Sequence, residues 1–342
     1  FEGKKVFIEF EAGRQVAEVY INGKLLGTSK TGFVPFGFDL TPYLQFGKPN
    51  VLAVMCDNRF MKDPLGREAS SSEAPAADNA LNINPTVNPN LAAVQTKFNS
   101  TIPDTIEELQ AYQIPWNNPH WHPAHGGIYR NVRLYVVDPL HISLPLYSFL
   151  QTAGPYVYAT EISAESANIH VEVPIENSRP TGEKVELIAQ VLDRNGLTVL
   201  TMRHEVDVVA GASAKFSWSG LWTKPESWES DYPYLYRVVC ALEVNGQTVD
   251  TSEIPFGIRT VKWTSDKGMF INGHHEKLHG WGQKPTDEWP GLGAAQPDWM
   301  HFLTLNLMKE AGGNWVRWGH CAGGPAMIAA CDELGLMVEQ PG

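Results

Sequence analysis

Apolar and polar residues alternate along most of the chain from Phe1 to Thr260. Val6, Ile8 and Phe10 are set against Phe7 and Glu9, and Ala17 to Ile21 repeats the period of two before Asn22-Gly23. An Asn-Gly pair between such runs signals a two-residue antiparallel hairpin, whose turn residues both take positive φ. Phe33 to Leu40 and Val51 to Cys56 continue the series, divided by a short turn at Thr41-Pro42. No helix-length period intervenes, so residues 1–138 are expected to form a β-sandwich.

A second run follows from Pro139: Ile169, Val171 and Val173, then Val185, Leu187, Ala189 and Val191, a turn at Asp193 to Gly196, and further strands to Ser252. Strands at this spacing predict a second sandwich, immunoglobulin-like, over residues 139–261. Residues 58–113 are rich in Ser, Ala, Asn and Pro and only weakly periodic, which marks a long surface insertion into the first sandwich.

The period changes after Phe256. Met269 to Gly273 reads as another Asn-Gly hairpin, and Lys277 to Gly280 as the first strand of a new unit. Pro297-Asp298 is expected to open a helix capped by Asp298, with Met300, Leu303, Leu307 and Ala311 on its buried face and Gly312-Gly313 at its end. Asn314 to Arg317 reads as a strand, Pro325 to Leu334 as a helix closed by Gly335, and Leu336 to Glu339 as a third strand. Strand and helix alternating with short connections is the opening of a parallel α/β unit, here over residues 262–342.

Composition excludes some partners. With 342 residues, 43% hydrophobic and 19% charged, the chain has the make-up of several folded domains. A formal charge of -12 offers no basic surface to displace counterions, so neither nucleic acid nor membrane is expected as a partner. Cys56, Cys240, Cys321 and Cys331 lack Cys-x-x-Cys spacing and are expected to be free thiols, and no cofactor is expected. No apolar run is long enough for a membrane helix, and Phe1 to Phe10 lacks the layout of a signal peptide. A periplasmic or secreted location stays open, because a signal region could precede residue 1.

The residues also resemble a known family. Phe256 to Thr260, Phe270 to Gly273, Val316 to His320 and Cys331 to Leu336 are similar, in that order, to the entry into the catalytic barrel of glycoside hydrolase family 2, which includes β-galactosidases, β-glucuronidases and β-mannosidases. Val19 to Lys24, Phe38 to Leu44, Asn50 to Val54 and the Gly127-Ile128-Tyr129-Arg130 run resemble the family's N-terminal jelly roll, and Pro233 to Tyr236 with Asn245-Gly246 its second domain. The resemblance implies a jelly roll, an immunoglobulin-like sandwich and the beginning of a TIM (β/α)8 barrel. It further implies a retaining, exo-acting glycosidase, a β-galactosidase or relative, of which this chain is a fragment acting on carbohydrate, and it is compatible with a homo-oligomer. A non-catalytic carbohydrate-binding or interaction module of sandwiches stays open as the alternative.

Candidate site residues follow from barrel geometry, in which residues at the C-terminal ends of the strands face the substrate. By resemblance Arg317 and His320 shape the pocket and bind sugar hydroxyls, although an arginine at a strand end is also often tied to a carboxylate of the next strand. Trp281 would line the pocket at the first strand, Trp121 could stack on a sugar ring or pack between domains, and Asn117 lies where relatives place an acidic residue. His120, His122 and His125 invite a zinc reading, but Pro119 and Pro123 make that stretch an irregular loop without an acidic or cysteine partner nearby, so no metal is expected. Glycoside hydrolysis needs two carboxyl groups. The family's pair lies on later barrel strands, so neither Glu276, Glu288 nor Glu339 is assigned that role and no residue of this chain is read as catalytic.

Overall fold

The computed structural model describes residues 1–58, 126–284, 289, 291–319 and 321–341. The described residues are mostly strand. In the N-terminal region one sheet places Lys5–Phe10 between Phe36–Asp39 and Val132–Val137, and a second places Val16–Ile21 between Lys24–Ser29 and Leu52–Asp57, all antiparallel. Val6, Ile8 and Phe10 of the first sheet and Ala17, Val19 and Ile21 of the second meet in a single buried cluster closed by Phe36 and Phe38. Phe10 and Phe36 stack with centroids 5.1 Å apart. The alternation in sequence is thus the alternation of faces on two opposed sheets. Apart from Asn58, the insertion expected at residues 58–113 lies outside the described residues.

The central region is built the same way with longer strands. Tyr156–Thr160, Ser166–Asn177 and Ser213–Thr223 form one sheet, with Leu140–Ile142 added beside Ser166–Asn177. Thr198–Val208, Glu183–Leu192, Tyr236–Val244 and Gln247–Phe256 form the other. Ile169, Val171, Val173 and Ile175 face Val185, Leu187, Ala189, Val238, Cys240 and Leu242 across one apolar core. Asn22-Gly23, Asn245-Gly246 and Asn272-Gly273 all take positive φ at both positions, between 48° and 81°, as the two-residue hairpin demands.

Three short strands, Val261–Thr264, Gly268–Ile271 and His274–Glu276, make an antiparallel meander that leads into a parallel sheet. The parallel strands are Gly280–Gln283, Trp315–Trp318 and Met337–Glu339, joined through helix α1 (Asp298–Glu310) and helix α2 (Pro325–Leu334). The start of the sheet differs from the expected Lys277 to Gly280. Gly280 comes so close to the neighbouring strand that a Cβ there would lie 1.6 Å from the Trp315 carbonyl oxygen, so glycine marks the pairing residue where strand propensity favoured the residues before it. The helix cap also differs: Pro297 occupies the cap position and Asp298 is the first helical residue, with no side-chain cap bond.

The buried face of α1 is a further correction. His301, Leu305 and Met308 are buried, whereas Leu303 and Leu307 of the expected face are 39% and 52% exposed. Nearly every residue from Trp299 to Met308 has an apolar body, so periodicity alone offers two rows, and only packing against α2 and the sheet selects one.

The C-terminal ends of both helices dock on the central sandwich. The Trp228 indole donates to the Asp332 carbonyl at 2.8 Å, and the Ser230 hydroxyl to the Gly335 carbonyl at 2.9 Å. Gly335 ends α2 with φ of 76°, and a Cβ on it would lie 2.0 Å from the Ser230 carbonyl oxygen. Gly312 has φ of 86° but open space where its Cβ would be. Gly312→Ala should therefore cost about 1 kcal/mol for backbone strain alone, and Gly335→Ala about 3 kcal/mol or more by adding a clash with backbone. Urea-unfolding midpoints of the two variants check the ordering.

Candidate active site

Parallel register fixes what the sheet presents. Gly282 pairs with Arg317 and Arg317 with Glu339, while Trp281 pairs with Val316 and Val316 with Val338. Val316 and Trp318 are fully buried against Leu305, Met308, Met327 and Cys331 of the two helices. By alternation, Trp315, Arg317, Met337 and Glu339 project from the other face. That face is closed at its N-terminal end, where Met337 packs on Trp228, Met269 and Ile271. It is open at its C-terminal end, where the Arg317 Nε donates to Glu339 Oε1 at 3.2 Å with side chains 35% and 55% exposed.

Asn314 holds the strand starts in register. Its carboxamide donates to Glu276 Oε1 at 2.8 Å and to the Lys277 carbonyl at 2.9 Å, and it accepts from the His279 N–H at 2.8 Å. Its own carbonyl accepts from the Met337 N–H at 2.8 Å. One buried amide thus ties the approach to the first strand to the second and third. At the far end the Gly319 N–H donates to the Gln283 carbonyl at 2.7 Å.

Among the expected site residues, Arg317 is placed beside Glu339, and Trp281 stands 43% exposed on the row that continues from Val316 rather than from Arg317. His320, Trp121 and Asn117 lie outside the described residues, as do His120, His122 and His125. Among the described residues no cluster of three or more His, Cys, Asp or Glu side chains is arranged to hold a metal ion, and no helix is long and apolar enough to cross a membrane. Cys240, Cys321 and Cys331 are buried free thiols and Cys56 a half-buried one.

A polar junction that sequence reading missed lies beside the strand ends. A cleft of about 270 Å³ is lined by Glu11, Tyr129, Arg130 and Asn131 of the N-terminal region together with Asp298, His301 and Gly324 at the N-terminal ends of α1 and α2. Asn131 donates to Asp298 Oδ2 at 3.1 Å and to Glu11 Oε2 at 3.2 Å. Arg133 is paired with Glu11 in turn. The first turn of α1 thus takes its polar partner from another module. The signal present in the sequence was the pair Gly323-Gly324, two glycines with no hairpin around them.

Comparison with known proteins gives consistent matches. The family described as glycosyl hydrolases family 2 matches residues 154–259. A curated β-glucuronidase of Formosa agariphila is 43% identical over 100% of this chain, which spans about 30% of that relative's length. A β-galactosidase of Bacteroides ovatus is 28% identical over 98% of this chain and 32% of its own. Of solved structures, a β-glucuronidase from glycoside hydrolase family 2 aligns with a TM-score of 0.82 at 43% identity, covering 99% of this chain and 31% of that one. Bacteroides uniformis β-glucuronidase 2, covalently bound to cyclophellitol-6-carboxylate aziridine, aligns at 0.75 and 26% identity over 98% of this chain and 34% of its own.

His301 makes the junction sensitive to acid. Burial first, then the neighbouring Arg130 charge, lowers its pKa to about 4 from 6.5, with Asp298 opposing. The folded chain therefore holds the neutral imidazole, and the unfolded chain binds the extra proton between those two values. This contribution to stability is full above pH 6.5 and is lost as pH falls through about 4. The loss is on the order of 3 kcal/mol. Replacing His301 by Gln should flatten the fall of Tm over this window, which thermal unfolding in a buffer series measures.

Proposed function

We propose that this chain, which belongs to the glycosyl hydrolases of family 2, carries the substrate-facing N-terminal part of an enzyme that hydrolyses β-linked sugars. In this reading residues 1–138 are a jelly roll, residues 139–261 an immunoglobulin-like sandwich, and residues 262–342 the first strands and helices of the catalytic barrel. The observation that carries it is the 43% identity to a β-glucuronidase, which runs through every module of the chain without a break in coverage. Identity also puts β-glucuronides ahead of β-galactosides as the first substrate to test, since the relative named β-galactosidase is 28% identical.

The chain's own contribution is binding and orientation. Arg317, held by Glu339 at the C-terminal end of the sheet, is assigned a contact to a sugar hydroxyl, and His320, three residues on, a second. Trp121 would supply a ring face for stacking and Asn117 an amide, whereas Trp281, on the row of Val316, is not assigned to the face that bears Arg317. A retaining mechanism requires an acid and a nucleophile about 5 Å apart. The covalent aziridine complex of the Bacteroides uniformis relative accords with such a nucleophile. Both carboxyl groups are assigned to later barrel strands, so turnover is expected of the full-length protein and none of this chain by itself.

The test is the full-length protein on aryl β-glucuronide, β-galactoside and β-mannoside. Release of phenol from one of them, with retention of configuration in the first product, is the expected outcome. No turnover on any β-glycoside would overturn the reading. His320→Ala should lower kcat/KM by about 10²-fold, roughly 2.7 kcal/mol, with little change in Tm. The reverse, intact kinetics with a large fall in Tm, would assign His320 a packing role.

A further inference from the structure

The loop after the second parallel strand is gripped from outside the sheet that produces it. Arg130, in the N-terminal region, sends its guanidinium to two other segments: Nη1 donates to the Phe33 carbonyl at 2.9 Å and Nη2 to the Ala322 carbonyl at 3.4 Å. Its neighbour Tyr129 donates its hydroxyl to the Gly32 carbonyl at 2.7 Å, so the two side chains fix residues 32 and 33 together. Arg130 therefore joins three stretches of chain that are remote in sequence.

Two glycines make this possible, and neither is there for an unusual backbone angle in the left-handed region. Gly324 has φ of -74° and ψ of 167°, a conformation open to any residue. A Cβ on it would lie 2.9 Å from Arg130 Cζ, and one on Gly323 would lie 2.5 Å from the indole Nε1 of Trp318, which is fully buried. The backbone at 323 and 324 runs bare between a buried indole and a guanidinium. The Gly323 N–H donates to Gln340 Oε1 at 3.2 Å, and Gly319 at the start of the loop donates to Gln283. The sheet holds the loop from below, and Arg130 holds it from the N-terminal module.

We propose that Arg130 is a positioning residue: by clamping residues 322–324, whose Gly323 N–H is bonded to Gln340 beside Glu339, it sets the strand ends bearing Arg317 and Glu339, making the N-terminal module part of the substrate geometry. Its effect on turnover rests on the glycosidase reading above. Misplacing a substrate-contacting group by about 1 Å can cost about 10²-fold in rate, so a remote clamp of this kind has kinetic weight.

Two variants of the full-length protein test it, read by kinetics and by hydrogen exchange. Arg130→Ala removes the clamp, and Gly324→Ala leaves Arg130 in place but displaces its guanidinium by one methyl group. Both should lower kcat/KM by about 10-fold to 10²-fold, with the loss in kcat rather than KM. Both should also speed amide exchange in peptides covering residues 319–327. Arg130→Lys, unable to span two carbonyls, should not restore kcat, whereas added guanidinium ion should partly restore Arg130→Ala. Arg179→Ala, which breaks the part-buried pair with Asp138, is the control for destabilisation elsewhere and should leave kcat unchanged. If Arg130→Ala fails to fold, Gly324→Ala decides. Unchanged exchange in 319–327, or a fall in kcat/KM no larger than that of Arg179→Ala, would overturn the clamp. If the wild type hydrolyses no glycoside, the glycosidase reading fails, and exchange alone still decides whether Arg130 holds the loop.

Discussion

The C-terminal carbonyls of a helix need donors from beyond its last turn, and α2 finds two of them in one turn of the central sandwich, a turn that in its own right accepts a hydrogen bond from α1. Trp228 and Ser230 donate to Asp332 and Gly335 of α2 and its cap, while Lys309 of α1 donates to the Ser230 carbonyl at 2.7 Å. Asn272, at the tip of the meander, reaches the same turn through the Trp228 carbonyl at 3.0 Å. A three-stranded parallel sheet cannot cover its own faces. This turn anchors the helices over one face and, through Trp228 with Met269 and Ile271, closes the lower end of the other.

Both ends of each helix therefore answer to different modules. The C-terminal ends meet the sandwich, and the N-terminal ends meet Arg130 and Asn131 of the first region. Polar contacts dominate the second junction and an apolar cluster supports the first. The acid-sensitive imidazole lies in the polar one. Its desolvation is tolerable only because the neutral form is retained, since a second cation beside Arg130 in a cleft of this size would be costly.

Local chemistry was legible in the sequence. The Asn-Gly turns, the Pro325 and Gly335 limits of α2 and the alternating cores each depend on a few adjacent residues, and each stands where the pattern put it. The first parallel strand was displaced because its location depends on Trp315, a residue remote in sequence, and the face of α1 was misread because Leu303 and Leu305 are equal as hydrophobes. The pairing of Arg317 with Glu339 could be anticipated from strand ends alone. Arg130 could not be connected with the same region, since no periodicity links a loop of the first module to a loop after the second parallel strand. Site residues contributed by distant segments leave a trace in sequence only where a glycine has been forced, as at 323 and 324.

The pairing of Lys5–Phe10 with Val132–Val137 has a consequence for synthesis. Lys5 is partnered by Val137 and Phe10 by Val132, so the inner strand of the first sheet is made long before the strand that completes it. At ribosomal rates of about 5–20 residues per second the wait is on the order of 10 s. Throughout it the backbone of Lys5–Phe10 is paired along one edge only, by Phe36–Asp39, although Ala17, Val19 and Ile21 can already cover Val6, Ile8 and Phe10 across the cluster. The nascent chain thus carries a half-built sheet edge for far longer than a hairpin takes to close, which makes this interval, rather than any property of the finished molecule, the point at which chaperones would have most to protect.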